Sequence, residues 1–406
     1  MISHLLLLSA IALASIVWVE IIRDCYHALA HVWQPLYRLH VWHHRVFRPD
    51  LSVMSEEIYR KAHWYNDVPE ALVMLTFSFL PGLILLIWGF PDAWVSLAGS
   101  IYTASFLTTA IARGAGVPNM DELTDLTHRP GRFTEVPTAW RVNRTYHWRH
   151  HFDNQKAYYC GTLTLVDKVL GTALSLKGKT VAVTGASGTF GQALLKYLYL
   201  NEAKPIALTS QVNPVDLDIN GKIIPIKTIT WKIGNEEALA DLFENIDILV
   251  INHGVNVNHQ RSESAIIKAY EVNTFSVFRL MELFLKTVRT NEQIAKKEVW
   301  VNTSEAEVNP AFSPLYELSK RAIGDLITLR RLDAPCVIRK VILGPFKSNL
   351  NPIGIMSADW TAKQVIKAAK RDSRNIIVTI NPITYIAFPI KEFFVSWYFR
   401  LFSKAS

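Results

Sequence analysis

Three long segments without a charged side chain constrain this chain more than any other feature. They run over residues 1–19, 71–90 and 93–112. A helix rises about 1.5 Å per residue, so each segment is long enough to cross a hydrocarbon layer of roughly 30 Å. Only Pro91 and Asp92 separate the second segment from the third, which predicts a tight helical hairpin. We therefore expect an α-helical integral-membrane domain with three spans.

Histidines are concentrated beside these segments, in three short boxes that contain eight of the 13 in the chain. The boxes are His27-x3-His31, His40-x2-His43-His44 and His147-x2-His150-His151. On a helix, residues three and four apart share a face, so each box predicts converging imidazoles. Imidazole binds iron, zinc, copper and nickel, and eight such ligands exceed what one four-coordinate zinc site uses. The spacing therefore predicts two metal ions, because solvated helix faces do not explain three such boxes.

The order of boxes and apolar segments predicts the topology. Two boxes follow the first segment, the hairpin crosses and returns, and the third box follows, so all three share one membrane face. Basic residues cluster on that same face, between residues 23 and 61 and between 113 and 144, which the positive-inside rule assigns to the cytoplasm. No Lys or Arg precedes the first segment, which favours a retained anchor over a cleaved secretory signal.

The net charge of +8 lies wholly in residues 176–406, because residues 1–175 carry equal numbers of acidic and basic side chains. Aromatic and basic residues do not alternate there, so we expect a domain near an anionic membrane surface and not a nucleic-acid partner. Residues 381–406 are strongly aromatic and are predicted to form a membrane-interfacial helix, with an ordinary amphipathic closing helix as the alternative. Three cysteines without a CxxC pattern indicate reduced thiols.

From Val19 to Thr172 the chain resembles the fatty acid hydroxylase/sterol desaturase superfamily. It carries that superfamily's HxxxH, HxxHH and HxxHH boxes and a closing Asp167-x3-Gly171-Thr172 element. The resemblance implies a membrane-embedded, non-haem di-iron centre that uses O2 to attack a C–H bond of a lipid. Members often add a histidine before the last box, and His128 stands there. The implied iron ligands are His27, His31, His40, His43, His44, His128, His147, His150 and His151, and His63 is left out.

The resemblance also bears on substrate and electron supply. A lipid or sterol-like substrate would enter from the bilayer with its apolar body in the membrane. Asp24, Asp67, Glu70 and Asp125 are candidates to orient the ring N–H groups, as metal-bound histidines usually require, but the sequence does not assign them. A nicotinamide delivers a hydride, whereas iron takes single electrons, so we expect a separate ferredoxin-like or cytochrome-like donor.

The second half begins with a short apolar strand and a glycine-rich turn. The turn reads Gly185-Ala-Ser187-Gly188-x2-Gly191 and precedes a helical segment, an order that forms a dinucleotide cradle. A later apolar strand ends in Asn252-His-Gly254. Downstream lie Asn273, Ser304 and the pair Tyr316-x3-Lys320.

With these elements the second half resembles the short-chain dehydrogenase/reductase family. The resemblance implies that Tyr316 is the general acid/base, with its pKa lowered by the Lys320 ammonium. Ser304, or its neighbour Thr303, would hydrogen-bond the substrate oxygen, and Asn273 would hold a water. The dinucleotide, NADP or NAD, would contact Gly185, Ser187, Gly188, Gly191, Asn252 and Gly254. No acid follows the second strand, which slightly favours NADP.

Together these patterns predict a multi-domain chain. Residues 1–175 form the α-helical membrane domain, residues 176–380 an α/β Rossmann-like doubly wound domain, and residues 381–406 the interfacial helix. We expect a bifunctional membrane lipid oxidoreductase that couples O2-dependent hydroxylation or desaturation to NAD(P)-dependent alcohol/carbonyl interconversion. The alternatives are an aldehyde-consuming wax-type or hydrocarbon-type enzyme, and a chain in which one half is a non-catalytic nucleotide-binding scaffold.

Overall fold

The chain divides into two units, residues 1–175 and residues 176–406, and the computed structural model describes residues 2–348 and 350–404. Met1, at the start of the first predicted span, and residues 405 and 406, at the end of the predicted interfacial helix, lie outside the described residues.

The first unit is helical. Its helices are α1 (Ile2–Ala30), α2 (Gln34–His44), α3 (Glu56–Ala62), α4 (Val68–Ser78), α5 (Leu80–Ile87), α6 (Leu97–Ala115), α7 (Met120–Thr124), α8 (Arg144–Phe152) and α9 (Leu165–Leu170). A π-helical turn, His63–Asp67, joins α3 to α4, and a 3₁₀ turn, Ala93–Ser96, precedes α6.

Three helical stretches are long and apolar enough to cross a membrane: Ile2–Ala30, Glu56–Ile87 and Ala93–Ala115. Each is longer than the predicted span, although the second ends at Ile87, short of the predicted residue 90. A helix does not have to end where its apolar run ends. The added turns carry polar residues. In the first stretch they bring Asp24 and His27 onto the same helix as the apolar run.

The burial pattern of these stretches is inverted relative to a soluble protein. Ser15, Glu20 and Thr103 are buried, whereas Ile87 and Ile101 are more than two-thirds exposed. Large exposed apolar surfaces mark interaction with a partner or a membrane, and buried polar residues in membrane helices face the bundle interior. The pattern is therefore compatible with helices that cross a membrane, with apolar side chains outside and polar groups inside.

Helix α8 is buried along most of its length although its sequence is polar. Residues Thr145–His151 are all buried, including Arg149, whose guanidinium lies 5.6 Å from the Tyr158 ring centroid. A polar helix is stable in such a place only when its side chains find partners. The following helix, α9, holds the segment between α8 and α9 in place. Its buried Asp167 carboxylate accepts hydrogen bonds from the backbone N–H groups of Tyr159 and Cys160, both at 2.9 Å.

The second unit is built on an eight-stranded sheet. Its strands are β1 (Thr180–Thr184), β2 (Lys204–Thr209), β3 (Val215–Ile219), β4 (Lys222–Thr230), β5 (Ile248–Ile251), β6 (Glu298–Ser304), β7 (Val337–Leu343) and β8 (Asn375–Val378). The order is β3-β4-β2-β1-β5-β6-β7-β8, and every pair is parallel except β3 with β4. Central strands that are buried on both faces read as continuous apolar runs, as β5 does.

Helices cover the two faces of this sheet, as expected of a doubly wound fold. They are α10 (Thr189–Leu200), α11 (Ala240–Glu244), α12 (Glu263–Tyr270), α13 (Ser276–Leu285), α14 (Asn291–Lys296), α15 (Pro314–Arg330), α16 (Ala358–Lys370) and α17 (Pro382–Phe402). The strand order reverses direction between β1 and β5, and the crevice at the carboxyl ends of such strands is where ligands bind in this architecture. The predicted Rossmann-like α/β fold of the second half is confirmed.

Helix α17 is part of the second unit and is attached to it by charges. The Lys340 ammonium lies 2.7 Å from the Glu392 carboxylate, and the Lys391 ammonium lies 2.9 Å from Glu307 and 2.8 Å from Asp325. Lys340 and Glu307 are buried, so loss of α17 would leave their charges buried without these partners. The opposite face of α17 exposes Ile386, Phe393, Trp397, Leu401 and Phe402.

We expect Asp167→Ala to destabilise the first unit. The substitution removes an acceptor of four hydrogen bonds, since the Tyr146 and Thr172 hydroxyls donate to Asp167 as well. The loss should be about 3 kcal/mol or more, because buried donors are left unpaired. A lower melting temperature of the detergent-solubilised protein measures it, and Val169→Ala, at an exposed position of the same helix, is the control. An unchanged melting temperature in Asp167→Ala would show that these four hydrogen bonds do not stabilise the first unit.

Candidate functional site

Two groups of imidazole nitrogens converge in the first unit. One group contains His27, His31, His40, His44 and His150, and the other contains His43, His128, His147 and His151. Within each group the ligand nitrogens all lie within 4.8 Å of one another. The structure thus brings together all nine histidines named from the sequence, and His63 belongs to neither group.

The boxes do not map one to one onto the groups. In α2, His40 and His44 point to the five-histidine group while His43 points to the four-histidine group. In α8 the division is reversed: His150 belongs to the five-histidine group, and His147 and His151 belong to the four-histidine group. The expectation that each box points off one face is therefore wrong in detail: the i, i+4 pair stays together, and the i+3 residue turns to the neighbouring group.

The distances between nitrogens match those of ligands around one ion. The Nε2 atom of His150 lies 2.9 Å from that of His27 and 3.2 Å from those of His31 and His44. In the second group the Nε2 atom of His147 lies 2.9 Å from that of His128 and 3.1 Å from that of His151. Nitrogens bound at about 2.1 Å to one cation are separated by about 3.0 to 3.4 Å. The donor set therefore fits two cations.

Partners on the far ring nitrogen fix the direction of several lone pairs. His150 donates from Nδ1 to the Ala157 carbonyl at 2.8 Å, and His128 donates from Nδ1 to Asp125 at 2.6 Å. His40 donates from Nδ1 to the Asn66 side-chain oxygen at 2.7 Å. A ring whose Nδ1 holds the proton presents a bare Nε2, so these three rings aim lone pairs at the group centres.

The protonation of these rings favours ligation as well. Burial, reinforced by neighbouring imidazoles, lowers the pKa of His150 and His151 well below the usual value. Burial also lowers the pKa of His31 to about 3 and that of His40 to about 4. These rings are neutral at pH 7, and neutral imidazole is the form that binds metal.

Two orienting partners were not found from the sequence. Asn66 is an amide and not one of the four candidate carboxylates, and the Ala157 partner is a backbone carbonyl, which no side-chain pattern reveals. Of the four candidates, only Asp125 contacts a ligand ring directly. Asp67 acts on His40 through Asn66: it accepts a hydrogen bond from the Asn66 amide at 2.7 Å, and the oxygen of that amide contacts His40. Asp24 instead accepts from the Gly161 backbone N–H at 3.0 Å.

In the second unit the glycine turn forms the cradle predicted for a dinucleotide. Gly185 has φ of +60°, a conformation that favours glycine. A Cβ atom on Gly191 would lie 2.3 Å from the Gly185 carbonyl oxygen, and helix α10 begins immediately after Gly188. The Ser187 hydroxyl accepts a hydrogen bond from Thr209 at the end of β2, at 3.1 Å. The close approach of backbone to backbone leaves this turn fitted to a pyrophosphate.

Asn252 and Gly254 complete the cradle at the end of β5. The Asn252 amide donates to the Gly185 carbonyl at 3.3 Å and accepts from the Asn302 amide at 2.7 Å. Gly254 lies against Lys320, whose ammonium would be 3.7 Å from an added Cβ. All six residues predicted to contact the cofactor therefore lie at the β1 and β5 ends.

Tyr316, Lys320 and Ser304 meet on the same side of the sheet. The Ser304 hydroxyl is close enough to Tyr316 to lower the pKa of the phenol, whereas the Thr303 hydroxyl is buried without a partner among the described residues, so Ser304 is the better candidate for the role. The Lys320 ammonium donates to the Asn302 carbonyl at 3.0 Å and lies 5.9 Å from the Tyr316 ring centroid.

The surroundings of Tyr316, Lys320 and Asn273 bear on the roles expected of them. Burial raises the pKa of Tyr316, and the nearby Ser304 hydroxyl opposes this shift. Lys320 is itself affected, because burial lowers its pKa to about 8. The side chain of Asn273 donates to the Val255 carbonyl at 2.9 Å and to Ser319 at 3.0 Å, and accepts from the Val255 N–H. Asn273 is a positioning residue for the segment after β5.

Comparison with known proteins places this geometry in a family. A model of the family "short chain dehydrogenase" matches residues 179–345. A protein named monoglucosyldiacylglycerol epimerase, from Synechocystis sp. (strain ATCC 27184 / PCC 6803 / Kazusa), is 69% identical over 400 residues, which are 98% of each chain. The chain belongs to the same family as this epimerase. The short-chain dehydrogenase assignment of the second half is thereby confirmed for this member of the epimerase family.

Solved structures also align with the second half of this epimerase family member. The short chain dehydrogenase from Burkholderia cenocepacia J2315 in complex with NADP is 18% identical, with a TM-score of 0.44 over 57% of this chain and 100% of that chain. The enzyme from Leptospira borgpetersenii serovar Hardjo-bovis (strain JB197) with bound NAD+ is 21% identical, with a TM-score of 0.41 over 50% of this chain and 91% of that chain.

We expect Gly191→Ala to weaken dinucleotide binding at least tenfold, because the new methyl group would collide with the turn that receives the pyrophosphate. Gly188→Ala should cost less, since its Cβ would meet only the Gly185 oxygen, at 3.3 Å. Titration of the purified protein with NADP+ and NAD+, followed by tryptophan fluorescence, measures both variants. Unchanged dinucleotide binding by Gly191→Ala would show that the turn is not the binding surface.

Proposed function

We propose that this chain is a membrane lipid oxidoreductase whose second unit epimerises the sugar headgroup of a glycolipid, with NAD(P) as the hydride carrier. The observation that carries the proposal is the end-to-end similarity to the Synechocystis epimerase, at 69% identity. The positions of Tyr316, Ser304 and Lys320 beside the glycine cradle support it, because they suit the interconversion of an alcohol and a carbonyl.

Epimerisation by this site balances without any outside reagent. At the sugar carbon, the C–H bond breaks as a hydride leaves and the O–H proton leaves with it, which gives a ketone. Return of the hydride to the opposite face of the ketone, and of the proton to its oxygen, gives the epimer. The bound dinucleotide supplies the hydride acceptor and donor. The alcohol/carbonyl interconversion predicted from the sequence thus occurs twice in one reaction, first as oxidation of the sugar alcohol and then as reduction of the ketone.

The residues of the chain carry the proton and hold the oxygen. Tyr316 takes the hydroxyl proton and returns it, so it must lose its own proton first, and the raised pKa of this phenol opposes that loss. Ser304 donates a hydrogen bond to the substrate oxygen. Lys320 places a positive charge behind the site, which favours the deprotonated phenol once substrate and cofactor exclude water. No observation among the described residues favours the aldehyde-consuming or scaffold alternatives.

For the first unit we propose that the two histidine groups hold two metal ions, which are iron in the superfamily that this unit resembles. Bound iron would supply O2 activation for hydroxylation or desaturation of a lipid C–H bond, with electrons from a separate ferredoxin-like or cytochrome-like donor. The observation in favour is the convergence of nine imidazoles in two groups. Epimerisation consumes neither O2 nor electrons, so the two units would serve separate steps.

We further propose a multi-pass membrane location, with the histidine groups and the second unit on the cytoplasmic side. Three helices of suitable length and apolarity support the spans. The exposed aromatic and aliphatic side chains of α17 support an interfacial position for that helix, where such rings bind at the headgroup level.

Tyr316→Phe tests the epimerisation. The substitution removes the proton carrier, so epimer formation from a glucosyl diacylglycerol should fall roughly 10²- to 10⁴-fold, as NMR of the extracted lipid measures. Tyr197→Phe removes a hydroxyl that donates to Asp359 on an exposed surface and should leave the rate unchanged. The wild-type reaction should also proceed without oxygen. Full epimer formation by Tyr316→Phe would overturn the proposed role of the second unit.

His150→Ala tests the metal proposal. The His150 nitrogen faces three others, so its loss should lower the metal content from about two ions per chain to about one. Elemental analysis of the purified membrane form gives the ratio, and His259→Ala, at an exposed position, is the control. Unchanged metal content in His150→Ala would refute the assignment of these ligands.

A further inference from the structure

A cavity of about 700 Å³ lies beside the histidine groups, inside the first unit. Helices α1, α4 and α6 contribute to its wall, together with the chain segments at residues 124–128 and 141–144. Small-molecule sites measure roughly 300 to 1,000 Å³, so this cavity can hold a substrate-sized group. His27, His40 and His43 are part of the wall, so the histidine groups face whatever occupies the cavity.

Polar side chains predominate among the residues of the wall. Of the 25 lining residues, only Phe106, Leu126, Val142 and Gly161 lack a polar side chain. An apolar guest would take water away from the remaining groups without offering a hydrogen bond, which is costly for charged groups above all. A guest that offers hydrogen bonds to these side chains is therefore favoured over one that offers none.

The charges of the wall are balanced. Four basic residues, Arg23, Arg113, Arg141 and Arg144, stand with four acidic ones, Asp67, Glu70, Asp125 and Glu135. An anionic phosphate headgroup requires an excess of positive charge, and a quaternary amine an excess of negative charge or an aromatic cage. A neutral guest with many hydroxyl groups suits a wall in which donors and acceptors are present in equal measure.

Most of the charged wall groups nearest the membrane spans are already held in place. Arg23 donates to the Thr162 hydroxyl at 2.9 Å and pairs with Glu20, to which the Tyr102 hydroxyl donates at 2.5 Å. Arg113 donates to the Thr124 hydroxyl at 2.8 Å. Because these side chains are already held in position, they lose little conformational freedom when a ligand binds.

Glu70 differs from these groups. Its residue is 8% exposed and it lines the cavity, but among the described residues its carboxylate has no hydrogen bond or ion pair. A carboxylate accepts hydrogen bonds from up to four directions, and sugar hydroxyls are donors that a cavity can bring to it.

We propose that this cavity binds the neutral, hydroxyl-rich headgroup of a membrane glycolipid, so that the histidine groups face the headgroup and not the acyl chains. This inference rests on the proposed function, in that the first unit is taken to be membrane-embedded and lipid-modifying. It concerns a binding site in the first unit, apart from the Tyr316 site.

Photo-cross-linking tests the headgroup site directly. The probe is a glucosyl diacylglycerol with a diazirine on its sugar, in nanodiscs that contain the full chain with its metal. Cross-linked peptides should map to residues 56–78 and 97–115. Glu70→Gln and Thr109→Val should lower the yield roughly tenfold, because the first replaces an acceptor oxygen of the wall by an amide donor and the second removes a hydroxyl. The matched control is Thr108→Val, which alters an exposed hydroxyl on the adjacent position of α6.

The outcomes separate this proposal from the epimerase proposal. Tyr316→Phe should keep the cross-links to the first unit while it stops epimer formation. If the wild type forms no epimer but still gives cross-links that depend on Glu70 and Thr109, the cavity proposal stands and the epimerase proposal fails. Yields that Thr109→Val leaves unchanged, effective competition by phosphatidylglycerol, or cavity labelling by a probe with its diazirine on the acyl chain would each overturn the cavity proposal.

Discussion

The first unit depends on one physical constraint, which is that nine imidazoles meet in a buried space where their inward nitrogens cannot all be satisfied by one another. A ring that donates its Nδ1 proton outward, as His150 does to the Ala157 carbonyl, has only a lone pair to offer inward. Several such lone pairs facing each other at about 3 Å repel unless a cation lies between them. The buried polar helix α8, the Asp167 support and the orienting amide of Asn66 all follow from the need to hold these rings in position.

The sequence predicted the ligand types but not how they divide. Helical periodicity states which residues share a face of their own helix, so it brought His40 and His44 together. It says nothing about where a neighbouring helix lies, and therefore could not show that His43 turns to the second group. Orienting partners such as Asn66 and the Ala157 carbonyl are separated from their rings by 26 and 7 residues, and only the fold brings them together.

The dinucleotide site was easier to predict, because its geometry is local. A strand, a glycine turn and a helix follow one another directly, and Tyr316 and Lys320 lie one helical turn apart. What the sequence missed there depends on burial. The pKa of Tyr316 is raised because the ring lies in a desolvated position, and Asn273 is occupied by the backbone of Val255. The cavity of the first unit was also not predicted, since its wall is assembled from side chains spread over more than a hundred positions.

The charged attachment of α17 has a consequence for how a lipid reaches the second unit. The pairs of Glu392 with Lys340 and of Lys391 with Glu307 and Asp325 fasten this helix to β7, to the turn after Ser304 and to α15, the helix that carries Tyr316. If the aromatic face of α17 rests on a bilayer, the height and tilt of the Tyr316 hydroxyl above that surface are set by the second unit itself. A sugar that stays tethered to its own acyl tails can then be presented at a fixed depth, and the length of the headgroup becomes a criterion of selection.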